Sequence, residues 1–268
     1  MVRISGTSYN DNGTFQIIPT PIFPGIPTPP QILFFPILEG TDEPDEIFGN
    51  NGNDIALGNV GNDSIFGGSG DDELSGGLGN DYIEGGSGGD TINGDTGNDL
   101  LLGGRQNDIL SGGNGDDILI GAGLNPIPQP ADPDFTPPPG IDEIDNLTGG
   151  TGADTFVLGD VDRVYYDDDN NSLFSDSGLS DYALITDFTD GQDTIQLYGG
   201  VTYEIRTVNI GSINGTGIYV DKGTINFPLL FGGGTINIPL ADELIGVVQG
   251  VDPSALTISG GSDITTII

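Results

Sequence analysis

The chain has no cysteine, no histidine and no tryptophan, and only 5 lysine and arginine residues stand against 41 aspartates and glutamates. Without cysteine there are no disulfides and no thiolate metal ligands. Without histidine the commonest zinc ligand and the commonest general base are gone. The metal chemistry left is oxygen-only, which suits calcium. A formal net charge of -36 over 268 residues repels phosphate and anionic lipid, so nucleic acid and membrane surfaces are poor partners. The N-terminal segment MVRISGTSYNDNGTFQ lacks the apolar run of a secretory signal peptide, so export would need another route. Residues 15–38 are apolar, but seven prolines between Pro19 and Pro36 forbid a continuous membrane-spanning helix. The 35 % of hydrophobic residues can still supply a core.

What is abundant is periodic. Aspartates stand every nine residues at Asp45, Asp54, Asp63, Asp72, Asp81, Asp90, Asp99, Asp108 and Asp117. Two places after each comes an apolar residue: Ile47, Ala56, Ile65, Leu74, Ile83, Ile92, Leu101, Leu110 and Leu119. Glycine-rich hexapeptides such as GGSGDD, GGLGND and GGNGDD separate the units, which suits tight bends with positive φ and close carbonyl approach to an ion. The three-residue remainder is long enough for one short strand. No unit can bury its single apolar residue alone, so copies must stack. Two units per coil predict an eighteen-residue turn, with alternate units forming two parallel sheets back to back.

These units resemble the GGxGxDxUx nonapeptide of RTX (repeats-in-toxin) proteins. The resemblance implies an all-β fold, a right-handed parallel β-roll with a mostly β C-terminal cap. It also implies several calcium ions between stacked turns, held by the repeat aspartates and by backbone carbonyls. Odd units would align Asp45, Asp63, Asp81, Asp99 and Asp117, and even units Asp54, Asp72, Asp90 and Asp108, giving two rows. Departures fall at glycine positions: Asn50, Asn59, Asp95, Ala122 and Gln106. Coils about 4.8 Å apart place successive carboxylates where they repel by about 3 kcal/mol at an effective dielectric near 20. Calcium reverses that sign, and because the site exists only after stacking, binding energy becomes folding energy. The expectation is a chain unfolded in calcium-poor cytosol and folded outside, where millimolar calcium suits weak sites.

Around the roll, residues 1–39 read as an extended proline-rich arm, 40–123 as the roll, 124–140 as a stiff proline-rich insertion, 141–159 as closing repeats and 160–268 as a β-rich cap. Asp145 and Asp154, nine apart with Leu147 and Phe156 inward, are further candidate ligands. ITDFTDGQDTIQL resembles the stretch after the roll in secreted RTX proteins, including serralysin-type C-terminal domains. SDITTII loosely resembles an uncleaved type I secretion signal, and an ordinary terminal strand explains it as well. The run YYDDDNN offers Asp167, Asp169 and Asn171 as oxygen ligands, but lacks the glycine and distal glutamate of an EF-hand loop and reads as a solvated acidic loop.

The residues flanking the inward position differ between the two sheets. Phe48, Phe66, Tyr82, Leu100, Leu102, Ile118 and Ile120 make the odd sheet's outer face apolar, whereas the even face is largely wettable. Such a patch is usually covered, by the chain itself or by a second subunit. Phe-Gln-Ile-Ile and Ile-Leu-Phe-Phe in the arm have strand-like composition and could add to a neighbour's edge. Without histidine, an HExxH protease and a Ser-His-Asp lipase are excluded, and little chain is left for a carboxylate-pair glycosidase, so no enzyme is expected. The expectation is a secreted structural element of a cell surface, layer or fibre. A module that binds polysaccharide or a surface is the alternative.

Overall fold

The computed structural model describes residues 3–5, 15–18, 31–34, 37–122, 143–159, 182–199, 201–221, 224–228, 235–239, 242–260 and 264–268. The proline-rich insertion, the YYDDDNN run and most of the N-terminal arm lie outside these residues. Strands make up most of the described residues, and one short 3-10 turn, Pro253–Ala255, is the exception to strands and loops. No described helix is long and apolar enough to cross a membrane.

Alternate repeats go to alternate sheets, as two units per coil require. Glu46–Asn51, Ser64–Ser69, Tyr82–Ser87, Leu100–Arg105 and Ile118–Ala122 pair in parallel in one sheet. Ile55–Val60, Glu73–Leu78, Thr91–Thr96 and Ile109–Asn114 pair in parallel in the other. Partners in register are 18 residues apart, for example Asp45 and Asp63 across the turn. Each side chain two places after an aspartate faces its counterpart from the opposite sheet. Ile47, Ile65, Leu74, Ile83, Ile92, Leu101, Leu110 and Leu119 are all completely buried. One apolar residue per unit therefore builds a continuous core only because the units stack.

The strands are longer than the three residues between glycine turns: they run six residues, or five in Ile118–Ala122, through the first glycines of the next turn. Identical turns lie directly over one another, so ladder pairing continues through Gly68–Gly86 and Gly77–Asp95 where an ordinary loop would break it. Three second-position residues that replace glycine accept its conformation, with φ 80 at Asn50, 75 at Asn59 and 72 at Asp95. Asn and Asp tolerate the left-handed region better than other side chains.

After residue 122 the register step widens from 18 to 37 residues, and the ladder resumes with Ile144–Thr151 on the even sheet and Thr155–Val157 on the odd sheet. Tyr182–Ile185 and Glu243–Gln249 extend the even sheet in parallel, and Thr194–Tyr198 extends the odd sheet. Antiparallel strands then close each sheet. Ile213–Val220 and Tyr203–Ile210 close the even side, and Ile264–Ile267 with Ile258–Gly260 the odd side. Ile264–Ile267 is thus a strand of the odd sheet. At the other end Arg3–Ser5 adds in parallel to Glu46–Asn51, and Arg3 lies 4.6 Å over the Phe48 ring.

The odd sheet's outer face is only partly open. Phe48 and Phe66 stack with centroids 5.0 Å apart, and Tyr82 joins them at 5.5 Å from Phe66. Leu102 and Ile120 are buried, while Ile118 stays 41 % exposed.

Candidate metal centre

The repeat aspartates lie inside the turns. Asp45, Asp54, Asp63, Asp72, Asp81, Asp90, Asp99, Asp108, Asp117, Asp145 and Asp154 are each between 0 and 3 % exposed. From Asp63 onward, one oxygen of each carboxylate has the same task along both rows. Oδ1 of Asp81 accepts the Asp63 amide at 2.8 Å, Oδ1 of Asp90 the Asp72 amide at 2.8 Å, and Oδ1 of Asp108 the Asp90 amide at 2.8 Å. Asp145 and Asp154 continue the two rows across the insertion, accepting the Asp108 and Asp117 amides at 2.8 and 3.0 Å.

The second oxygen is different. Among the described residues, no donor reaches Oδ2 of Asp63, Asp72, Asp81, Asp90, Asp99, Asp108 or Asp117. Each points at the first glycine of its own turn, where the carbonyl of the next stacked first-position glycine also arrives. A Cβ placed on Gly76 would collide with Asp81 Oδ2 and stand 2.9 Å from the Gly94 carbonyl; on Gly58 it would stand 2.6 Å from Asp63 Oδ2. Each turn thus forms a small space bordered by a carboxylate oxygen and a carbonyl. Leaving a buried carboxylate oxygen without a donor is costly. A hard divalent cation satisfies such oxygens, and calcium takes this donor set.

The electrostatics agree. Burial, opposed in part by the amide each carboxylate accepts and reinforced by the carboxylate stacked one coil away, raises the aspartate pKa values. They reach about 7 at Asp72, about 6 at Asp81, about 8 at Asp90, about 7 at Asp99 and about 6 at Asp117. Asp108 is also raised, by burial and then by the Asp145 carboxylate. Asp63 and Asp154 move the same way, chiefly through burial. Without an ion, these rows resist full ionisation.

Asp45 departs from this arrangement. Its Oδ2 accepts the Thr41 amide at 2.7 Å and the Thr41 hydroxyl at 2.8 Å, so protein donors serve it. The far end of the odd row repeats the device with residues that periodicity alone misses. Asp193 Oδ1 accepts the Asp154 amide at 3.0 Å, and its Oδ2 accepts the Thr189 amide at 2.7 Å. The signal for Asp193 lies in GQDTIQL, which repeats the Asp-Thr-Ile of Asp90, Thr91 and Ile92, with Ile195 fully buried at the inward position.

Two more acids work at the splice around the insertion. Glu143 Oε2 accepts the Gln106 amide at 2.9 Å, the task that a backbone carbonyl performs in neighbouring turns. Asp187 receives the Gly149 and Gly150 amides at 2.9 and 2.8 Å.

Comparison with known proteins agrees with this geometry. The RTX calcium-binding nonapeptide repeat matches in four copies, at residues 37–65, 48–83, 57–92 and 93–125. None of the curated proteins compared matches the chain. Residues 37–125 therefore carry RTX repeats, and calcium is the ion these repeats bind.

Proposed function

We propose that this protein is a calcium-set structural element that works outside the cell, with Asp54, Asp63, Asp72, Asp81, Asp90, Asp99, Asp108, Asp117, Asp145 and Asp154 as side-chain ligands. The observation that carries the reading is the file of buried Oδ2 atoms from Asp63 to Asp117 that no donor reaches among the described residues, each beside a glycine carbonyl. When bound, calcium supplies positive charge between carboxylates that otherwise repel along the row. The chain supplies the rest: it stacks the turns, buries the carboxylates and aims one oxygen of each at the same small space. Calcium-poor cytosol leaves the roll unformed, and millimolar calcium outside sets it. Proteins built on these repeats are typically secreted, and the lack of cysteine costs nothing where an ion replaces the disulfide as staple.

Folded chains then associate into an extracellular layer or fibre through the N-terminal arm and the apolar odd face. Phe15–Ile18 and Gln31–Phe34 form a two-stranded antiparallel sheet of their own, separate from both large sheets. Two strands alone are marginal in water, so a third strand from a neighbouring copy would stabilise them.

Light scattering and far-UV circular dichroism during one calcium titration test both parts. Strand signal and particle size should rise together. Strand signal already complete in chelator would remove calcium-driven folding, and a monomer at every calcium concentration would remove assembly.

A further inference from the structure

A second row of side chains ties coil to coil, formed by the residue just before each aspartate. Ahead of the odd-sheet aspartates this row begins at Asn62, since Pro44 has no side-chain acceptor, and then runs without a break to Ala153. The Asn80 amide donates to Asn62 Oδ1 at 3.0 Å and the Asn98 amide to Asn80 Oδ1 at 3.0 Å. The Asp116 amide donates to Asn98 Oδ1 at 3.1 Å and the Ala153 amide to Asp116 Oδ1 at 2.8 Å. Ahead of the even-sheet aspartates the row starts alike, with the Asp71 amide on Asn53 Oδ1 at 3.2 Å and the Gly89 amide on Asp71 Oδ1 at 3.0 Å. There it stops, because Gly89 has no side chain to receive the Asn107 amide. It restarts only where Ile144 donates to Asn107 Oδ1 at 2.8 Å.

Two independent observations fall on the same rung. The fourth-position amides of Gly52, Gly61, Gly70, Gly79, Gly97 and Gly115 reach the next coil's carbonyl at 2.7 to 2.8 Å, but Gly88 reaches Arg105 only at 3.2 Å. Stacked on Gly88 is Gln106, which brings a side chain to a position held by glycine from Gly52 to Gly97 and again at Gly115, and sits at φ 74. Nothing in the fold demands glycine at 89. Its φ lies outside the left-handed region, and an added Cβ would meet only the Asn107 carbonyl at 3.2 Å and Asp71 Oδ1 at 3.9 Å.

The side-chain row bears on the ions through the peptide plane. The N–H and C=O of a trans peptide point opposite ways, so a bond that fixes the fifth-position amide also fixes the fourth-position carbonyl. The aspartate follows immediately. A turn already held this way spends less of the ion's binding energy on ordering itself.

We infer that the two calcium rows load unequally. The odd row fills first, as one pre-ordered unit. The even row is held back at the rung that joins Gly88 and Gly89 to Gln106 and Asn107, between Asp90 and Asp108. Gly89 is the residue that sets the difference, and Asn62, Asn80, Asn98 and Asp116 are positioning residues for the odd row. This rests on the calcium reading of the aspartate rows.

Calorimetric calcium titration of the full chain, compared across variants, tests the inference. The unaltered chain should show a tighter and a weaker phase. Gly89→Asn, which supplies the missing acceptor, should move the weaker phase to calcium concentrations lower by about 2- to 10-fold, the worth of one hydrogen bond. Gly89→Ala, which adds a Cβ without an acceptor, should leave that phase where it is. Asn80→Ala should weaken the tighter phase instead, with Asn98→Ala in its place if that chain does not fold. Calcium binding that persists but is identical in Gly89→Asn and Gly89→Ala overturns the inference and leaves the calcium reading intact. An unaltered chain that takes up no calcium overturns both.

Discussion

Asp154 donates its backbone amide to the carboxylate of Asp193, 39 residues further on, at 3.0 Å, and so carries the odd row one coil beyond the last recognisable nonapeptide. Asp193 then turns its other oxygen back to the Thr189 amide. Thr41 and Asp45 make the same four-residue loop at the opposite end. The row therefore ends on protein donors at both sides. Asp193→Ala should destabilise the calcium-loaded fold by about 3 kcal/mol, since two amides lose a charged acceptor. Urea unfolding in saturating calcium checks this, and an unchanged midpoint would show that the end is held by other means.

The same contrast predicts which aspartates matter for the ion. Among the described residues Asp81 Oδ2 has no protein donor, whereas Asp45 Oδ2 has two. Asp81→Asn should raise the calcium concentration needed for folding by at least about 10-fold, the loss that even outer-shell partners of a metal produce. Asp45→Asn should change it far less. Equal shifts for the two variants would contradict the assignment of the row's end to Thr41.

Protons should partly replace calcium. An aspartate whose folded pKa stands above 3.8 favours the fold in its protonated form. That contribution is complete below 3.8 and is lost as pH climbs through the folded values, from about 6 at Asp81 to about 8 at Asp90. In chelator, taking the chain from about pH 9 to about pH 5 should therefore bring back strand signal by circular dichroism. A flat response across that window would mean that carboxylate repulsion and burial do not hold the metal-free roll open.

Space at the first-position glycine is a separate requirement. Gly76 has an ordinary φ, so alanine is allowed there by the backbone, yet its Cβ would strike the Asp81 carboxylate and crowd the Gly94 carbonyl. Gly76→Ala should cost about 1 to 3 kcal/mol, as overpacking does, and should blunt the calcium response. Thermal melts with and without calcium separate the two effects: an alanine that lowers stability equally in both conditions would place the clash outside the ion site.

Much of this architecture is legible in the chain because each nine-residue unit carries one strand and one chain-reversing turn, so that two units complete a coil of eighteen residues. Ile47 and Ala56 face inward from opposite sheets, and Asp45 and Asp63 fall one above the other, for that arithmetic reason. The inward residues could be read one by one, and so could the parallel pairing. Other features depend on contacts that spacing does not encode. Asp193 escapes the period because 39 residues separate it from Asp154, and only the Asp-Thr-Ile triplet betrays it. The strands outgrow the three-residue estimate because congruent turns keep pairing through glycine. Leu102 and Ile120 occupy outward positions and are buried nonetheless, which local alternation cannot foresee. Glu143 is invisible as a repeat element because it substitutes a side chain for a carbonyl at the splice.

The strict exchange of sheets between successive units also gives the molecule a parity. Two units inserted or removed together would lengthen or shorten the roll by one coil and leave both ends facing as they do now. A single unit would not: it would send every later strand to the other sheet, so the strand that receives Ile264–Ile267 and the strand that receives Glu243–Gln249 would trade places. Counted in repeats, a chain of this kind can change its length only in steps of eighteen residues, which makes it a ruler with one fixed graduation.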